Sequence, residues 1–549
     1  MTAEMTPPAP TGNAGQPEAA QELSPRGAFA GRPSWVTEER LSQWSGWVVA
    51  GDAAEGAHQM AAAPFTLEPT AVVPCSQRGD VESAVQRARS AQRSWATTSY
   101  ADRARVLLAF HDALLAEQDE VLDLIQWETG KARFHAWQEV GQVVTIARHY
   151  ARRAQHYLKP AKVRGMVPGA TAVKEVRVPK GVVGIISPWN YPLYLGAGDV
   201  LPALMAGNAV VSKADSQTPF TLLWARALMA RAGLPDDVWQ VVTGSGGETG
   251  TALVDTVDFV AFTGSTATGR EVASRAARRL VAASLELGGK NPLIVRRDAD
   301  LEAAARGTVT AAFANTGQMC IHVERVYVHQ DVYEAFRDEL VRATEDLRLG
   351  SAYDYGADVG SLTSTAQLEA VREHVQDAVD RGARVLTGGG PRPDLGPLFF
   401  APTLLEGVTP QMRVHAEETF GPVLSLYPVV DDDEAVALAN EGTYGLSSSV
   451  WSKDVAAAES IAHRLRAGAV NINDGAAAAA GSIEAGMGGM GESGLGRRHG
   501  AEGIRKYTDA QTIARQRWLP LGPPKGKPVE GFVHMTNAQL GLMRRLRLR

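Results

Sequence analysis

Cysteine is nearly absent: Cys75 and Cys320 are the only two among 549 residues. Two thiols exclude a disulfide framework and a cysteine-rich zinc site, so no metal is expected. Free thiols suit a reducing compartment, and a cytoplasmic location is expected. Positive charge is not in excess either. The 55 Lys and Arg against 61 Asp and Glu leave a net charge of −6, which gives nucleic-acid binding no electrostatic footing. No uninterrupted apolar run is long enough for a membrane span. The nearest stretch, Gly181 to Val211, contains Pro188, Asn190, Pro192, Asp199 and Pro202. A spanning helix would leave several of these unsatisfied, so a buried strand, loop, helix and strand are expected instead. The first thirty residues are rich in Pro, Ala, Gly and Glu and lack the apolar segment of a signal peptide. Residues 1–33 are therefore expected to form a disordered tail.

What is present reads as an α/β protein. The length exceeds what one compact core accommodates, so two or more domains are expected. Helical spacing over Asp80 to Ala96 and Arg103 to Glu128 predicts two surface helices, each with an apolar face. Strands are predicted at Val182 to Ile186, Ala209 to Ser212, Gln240 to Thr243 and Phe259 to Phe262, with a helix over Pro219 to Ala232. This density of β–α units is the signature of a doubly wound sheet. A second α/β block follows. Asp300 is placed to cap a helix reaching about Ala314, a glycine-containing turn leads to Cys320, and Val323 to Val328 reads as a strand. Ala476 to Ala480 and the glycine cluster beyond break the alternation. The last thirty residues, with their basic end Met543 to Arg549, read as a solvated or subunit-packing tail; contact of that end with an anionic surface is the alternative.

One glycine motif is discarded. Gly486, Gly488 and Gly491 match G-x-G-x-x-G, but no strand precedes them and the glycine density opposes a following helix. The segment from Phe262 to Gly269 is the better cofactor candidate. It follows an apolar run and opens a helix; Gly264 permits a tight turn, and the free N–H groups with the Ser265 hydroxyl can receive a pyrophosphate. An ordinary strand-to-helix turn is the bland alternative. Lys213, just past a strand, would face the ligand crevice and can pair with an adenosine ribose or its phosphate.

Three separated segments carry chemistry-capable residues. Ser187 to Pro192 presents Asn190 on a loop fixed by prolines and aromatics. Glu286 to Pro292 sets a carboxylate beside a glycine pair. Asn315 to Cys320 places a lone cysteine after a glycine turn. Each has a structural reading: a lone cysteine is most often a small buried hydrophobe, and a lone glutamate is usually solvated. Together they fit a thiolate attacking a carbonyl carbon, with amide donors for the oxyanion and a carboxylate activating water. No G-x-S-x-G segment supports serine hydrolysis. His322, two residues past Cys320, is expected to have a structural or pocket-lining role.

These segments resemble the aldehyde dehydrogenase superfamily, over about Val73 to Thr512. Pro188-Trp189-Asn190 comes first, then Glu286-Leu287-Gly288-Gly289-Lys290, then Gly317-Gln318-Met319-Cys320, with 34 residues from Glu286 to Cys320. Glu418 to Pro422 is similar to the family's E-x-F-G-P segment, and Met487 to Gly496 to its glycine-rich stretch. The resemblance implies Cys320 as nucleophile, Glu286 as general base for deacylation, and Asn190 with the Cys320 N–H as oxyanion hole. It implies cofactor contacts from Lys213 to the adenosine ribose, Ser265 to the pyrophosphate and Glu418 to the nicotinamide ribose, with Phe420 and Trp189 beside it. The implied fold has a Rossmann-type cofactor domain (34–156 and 177–289), an α/β catalytic domain (290–482), a small oligomerisation arm (157–176 and 504–517) and a C-terminal tail (518–549). Homodimers or homotetramers are implied.

Two positions depart from the pattern. Many NAD-preferring relatives carry glutamate three residues after the lysine, where this chain has Ser216. Serine can donate to a 2′-phosphate that a carboxylate would repel, so NADP+ is favoured over NAD+. The wording is closest to actinobacterial succinate-semialdehyde dehydrogenases, and succinate semialdehyde is the substrate that this implies. The arginines that hold the substrate carboxylate in that class fall here at Ala314 and Gly198, leaving a neutral aliphatic or aromatic aldehyde as the alternative. CoA-acylating relatives and a catalytically silent binding protein on this scaffold are the competing readings. Glu286 argues against the first, and the presence of Cys320, Glu286 and Asn190 against the second.

Overall fold

A computed structural model describes residues 31–51, 57–165, 171–517, 522–523 and 525–547. The expectation of a disordered tail over 1–33 therefore falls, up to residue 30, outside the described residues. Two large sheets organise the chain. The first has six strands in the order Gly494–Leu495, Ala282–Glu286, Phe259–Thr263, Val182–Ile186, Ala209–Lys213 and Trp239–Val242. Only the two-residue strand Gly494–Leu495 runs antiparallel to its neighbour. The chain starts in the middle, at Val182–Ile186, and winds outwards through Ala209–Lys213 to Trp239–Val242. It then crosses back to Phe259–Thr263. The order thus reverses between Val182–Ile186 and Phe259–Thr263, and ligands of doubly wound sheets bind outside the carboxyl ends of the strands at such a point. The loop after Ile186 and the turn after Thr263 both open there.

The second sheet has seven strands: Arg384–Thr387, Thr403–Glu406, Val423–Val429, Val323–His329, Asn291–Val295, Ser447–Trp451 and Ala469–Ile472. Both faces are covered, and alternate residues serve different layers. Leu293, Val295, Val326 and Val328 join one core with the helices Leu301–Phe313 and Tyr333–Glu345. Ile294 and Tyr327 join the opposite one with Asp432–Ala439 and Val455–Ala462. A separate three-stranded antiparallel sheet joins Thr508–Gln516, Thr171–Pro179 and Ala161–Arg164.

Most expected elements occur within a residue or two, including the strand, loop, helix and strand across Gly181 to Val211. Asp300 caps Leu301–Phe313 by accepting from the Ala303 N–H at 3.1 Å. Three expectations are corrected. The expected helix over Arg103 to Glu128 is two helices, Tyr100–Ala116 and Gln118–Thr129, broken at Glu117 (φ −106°, ψ 19°). Both halves are amphipathic, so the periodicity runs through the break. The second half is not a surface helix: Leu124 to Thr129 are all buried. Glu128 there accepts from the N–H groups of Phe220 and Thr221 and from the Thr221 hydroxyl. Ala476 to Ala480, expected to break the pattern, contains the short helix Ala477–Ala480. The expected C-terminal tail carries a 17-residue helix, Val529–Arg545, with no buried residue.

Candidate active site

The loop after Ile186 is held from beneath by an ion pair. Pro192 starts the helix Pro192–Met205. A proline suits that position because its missing N–H would be unpaired anyway. The N–H groups of Leu193 and Tyr194 donate to Glu139 Oε2 at 2.9 and 3.0 Å. Lys131 Nζ donates to the other Glu139 oxygen at 2.6 Å and to the Asn190 carbonyl at 2.6 Å. Both side chains are fully buried. A buried pair of this kind survives only when its remaining polar valences are filled, as here by the helix start and the loop carbonyl. With its backbone so fixed, Asn190 turns Nδ2 onto the Gln318 carbonyl at 3.0 Å. A primary amide has two N–H donors, so one remains for a ligand.

The cysteine turn is strained and over-determined. Asn315, Thr316 and Gly317 have φ of 52°, 58° and 71°. Left-handed backbone is natural for Gly317 but costs a β-branched residue such as Thr316 about 1–3 kcal/mol. Surrounding bonds hold the turn. Asn315 Nδ2 donates to the carbonyls of Asn190 and Gln318, both at 3.0 Å, and Gln318 Oε1 accepts from the Thr363 N–H at 3.0 Å. Asn291 Nδ2 grips the carbonyls of Cys320 and His322 at 2.8 and 2.7 Å. Cys320 itself stays partly exposed, in an apolar setting of Ile321, Leu446, Ala476, Met319, Ala480 and Met487. Burial, with the nearby charges of Glu418 and Glu286, pushes its thiol up to about 12, against the pull of Arg498 and its own N–H. Cys320 therefore rests as a neutral thiol.

Glu286 ends its strand with its side chain buried and Oε1 without a hydrogen-bond partner among the described residues. Burial raises its carboxyl to about 7, with Arg498 and Lys506 opposing. Arg498 is itself buried, donating to Asp199 at 2.8 and 3.3 Å and to the Thr263 hydroxyl. Thr263 is the register partner of Glu286 on the neighbouring strand. A carboxyl poised near neutrality suits general-base work.

Glu418 is partly buried, and desolvation with the neighbouring charge of Glu324 raises it to about 7. Its Oε1 accepts from the Gly289 N–H at 2.9 Å. A Cβ on Gly288 would lie 2.4 Å from Glu418 Oε2, so a side chain there would push that carboxylate aside. Glu324 anchors the segment that bears Glu418. It accepts from the N–H of Thr419 at 3.0 Å, from the N–H of Phe420 at 3.3 Å and from Lys290. His322 Nε2 lies 3.0 Å from Glu324 Oε1, and its Nδ1 meets the Met319 carbonyl, so His322 is a fully buried bracket under the cysteine turn. Lys290 and His322 hold the Glu324 carboxyl far below the usual range against burial. Phe420 (φ 52°) sets its ring edge-on to Trp189, centroids 5.6 Å apart.

At the crevice rim, Lys213 ends its strand almost fully buried, and burial lowers its pKa. Ser216 donates its hydroxyl to the Gly244 carbonyl at 3.3 Å. A ligand oxygen can replace this weak bond as the acceptor of the Ser216 hydroxyl. Gly264 donates its N–H to the Glu286 carbonyl at 3.1 Å. Ser265 caps the helix Thr266–Arg278, accepting from the Thr268 N–H at 3.3 Å. The helix start therefore faces the crevice with Ser265 exposed.

A family model, the aldehyde dehydrogenase family, matches residues 52–513. The chain belongs to the aldehyde dehydrogenase family. As such it is an NAD(P)+-dependent oxidoreductase acting on aldehydes. It is 49% identical over 464 residues to a Mycobacterium tuberculosis protein named "Putative succinate-semialdehyde dehydrogenase [NADP(+)] 2", covering 84% of this chain and 90% of that one. It is 36% identical over 456 residues to a 3-sulfolactaldehyde dehydrogenase of Pseudomonas putida, covering 82% and 92%. Its fold matches an NAD-dependent aldehyde dehydrogenase from Sinorhizobium meliloti with TM-score 0.83 at 35% identity, covering 87% and 94%.

The residues present fit a dinucleotide. The Lys213 side chain is almost fully buried and makes no hydrogen bond among the described residues, a helix start opens at the switch point, and the loop after Ile186 brings Trp189 against Phe420, two residues past Glu418. No helix among the described residues is long and apolar enough to cross a membrane. Sequence reasoning missed Lys131, Glu139, Asn291, Glu324 and the Asp199–Arg498 pair. The one local signal was charge inside apolar stretches, as in Val323-Glu324-Arg325-Val326.

Proposed function

We propose that this aldehyde dehydrogenase oxidises its aldehyde to the free carboxylic acid through a thioester on Cys320, with NADP+ preferred. The observation that carries the reading is the hydrogen bond from Asn190 to Gln318, which joins the amide loop to the cysteine turn while Glu286 is near enough to raise the thiol pKa. Cys320 Sγ attacks the carbonyl carbon, and its proton passes to Glu286, whose pKa near 7 matches that task. The oxyanion is received by Asn190 Nδ2 and the Cys320 N–H. The bound dinucleotide supplies the hydride acceptor. Glu286, having passed the thiol proton to solvent, then takes a proton from water, whose oxygen attacks the thioester; the C–S bond breaks, the sulfur leaves as thiolate and the acid is released. Lys213 and Ser216 hold the adenosine ribose and its phosphate, Ser265 and the helix start beyond the Gly264 turn the pyrophosphate, and Glu418 the nicotinamide ribose, with Trp189 and Phe420 packed beside it.

Succinate semialdehyde is the substrate that the mycobacterial relative suggests. A neutral aldehyde is the second reading, favoured by the apolar surround of Cys320 and by Gly198, whose nearest neighbours are Ile146 and the Tyr194 ring. The exposed edge strand Thr508–Gln516, with Ile513 on its surface, supports a homodimer or homotetramer. An aldehyde panel with NADP+ and NAD+ tests the function. Free acid without added CoA or phosphate is expected, with succinate semialdehyde giving the highest kcat/KM. A product that forms only with CoA overturns hydrolysis, and a higher kcat/KM for neutral aldehydes overturns the substrate.

A further inference from the structure

The second thiol has no part in the chemistry assigned to Cys320. Cys75 follows the strand Pro69–Pro74 and is partly exposed. Its neighbours tie it to the crevice rim. The Pro74 carbonyl accepts from the Thr243 hydroxyl, the Ser76 N–H donates to the Thr243 carbonyl at 2.8 Å, and the Ser76 carbonyl accepts from Thr249 Oγ1 at 2.9 Å. Thr243 follows Val242, the register partner of Lys213, and the Gly244 carbonyl holds Ser216. Three chain segments thus bring Cys75, Lys213 and Ser216 to one rim, at the carboxyl ends of the strands.

A second observation points to a ligand there. Lys213 is 5% exposed, and its ammonium has no hydrogen-bond acceptor among the described residues. Asp215 is a nearby charge, but its Oδ1 is taken by the Gln217 N–H at 2.9 Å. An ammonium left without a hydrogen-bonding protein acceptor at such a position can receive an anion. Cys75 Sγ lies 3.9 Å from Gln59 Oε1, and burial and Glu248 push the thiol up while the Lys213 ammonium pulls it down.

We propose that Cys75 walls the adenosine-ribose end of the dinucleotide crevice, so that alkylation of its sulfur and binding of the dinucleotide exclude each other. The inference rests on the cofactor contacts proposed above for Lys213 and Ser216. In the reaction with iodoacetamide the Cys75 thiolate displaces iodide: an S–C bond forms, the C–I bond breaks, and the thiol proton goes to buffer.

The test uses the full chain with Cys320→Ser, which leaves Cys75 as its one thiol. Alkylation by iodoacetamide at mildly alkaline pH is followed by mass spectrometry, without ligand and with NADP+ or NAD+, while calorimetry on the same protein reports binding. With dinucleotide at about 100 times its Kd, alkylation is expected to slow at least about tenfold. In the otherwise native enzyme, Cys75→Asp is expected to raise KM for NADP+ about tenfold, with kcat and KM for NAD+ changed far less, because a carboxylate would face the 2′-phosphate. Cys75→Ser controls for loss of the thiol itself and is expected to leave both KM values near native. Calorimetric binding with an unchanged alkylation rate overturns this inference alone, as does an unchanged KM for NADP+ in Cys75→Asp. Binding of NAD+ but not NADP+ overturns the cofactor preference, and protection by NAD+ then decides for Cys75. Absence of any binding overturns both readings.

Discussion

Asn190 donates Nδ2 to the main-chain carbonyl of Gln318 at 3.0 Å, across 128 residues of chain. The bond leaves the second amide N–H free for the oxyanion role proposed above. Asn190→Ala removes that donor, and kcat is expected to fall about 10²–10³-fold with KM changed far less. Steady-state kinetics on the purified variant checks this. A loss confined to KM would assign Asn190 to ground-state binding.

Lys131 and Glu139 hold the Asn190 loop from a fully buried position. Lys131→Met leaves Glu139 as an uncompensated buried carboxylate, and destabilisation by about 3–5 kcal/mol is expected. Lys131→Met with Glu139→Gln is expected to recover part of that loss, because no lone charge remains. Denaturant unfolding of the three proteins measures both steps. Equal stability of the single and double variants would contradict the pairing.

The rate should depend on pH through Glu286. Its carboxyl is raised to about 7 by burial, so it is protonated and inactive as a base below that pH and ionised above it. kcat/KM is expected to rise from about pH 5.5 to 8 and then level. Glu418 also titrates near 7, so Glu418→Gln is the control. The rising limb should persist in it. A flat profile over that range would remove Glu286 from the role of base.

Ser216 stands three residues beyond Lys213, with its hydroxyl on the Gly244 carbonyl. Ser216→Glu sets a carboxylate against the 2′-phosphate of NADP+ and offers an acceptor to the 2′-hydroxyl of NAD+. The ratio of kcat/KM for NADP+ over NAD+ is expected to fall at least about 30-fold, the effect of roughly 2 kcal/mol of like-charge repulsion. An unchanged ratio would move the 2′-phosphate away from this position.

The strands around the crevice were legible because they are covered on both faces and read as short apolar runs, as in Val182 to Ile186 and Phe259 to Phe262. The segments carrying Asn190, Glu286 and Cys320 were legible as unusual residue types at element ends and turns. What holds those loops was not. Lys131 meets the Asn190 carbonyl from 59 residues away, and Glu324 meets the Thr419 N–H from 95. A charged residue reads as solvated until tertiary contacts show its partners. The break at Glu117 was hidden for the opposite reason, because both helices keep one apolar period through it.

The covalent step at Cys320 is tested most directly by acid-quenching the wild-type enzyme during turnover and mapping its peptides by mass. The peptide containing Cys320 is expected to carry the mass of the aldehyde less two hydrogens, and Cys320→Ala is expected to lose at least about two orders of magnitude in rate. An unmodified Cys320 peptide throughout turnover, with the alanine variant still active, would contradict the account.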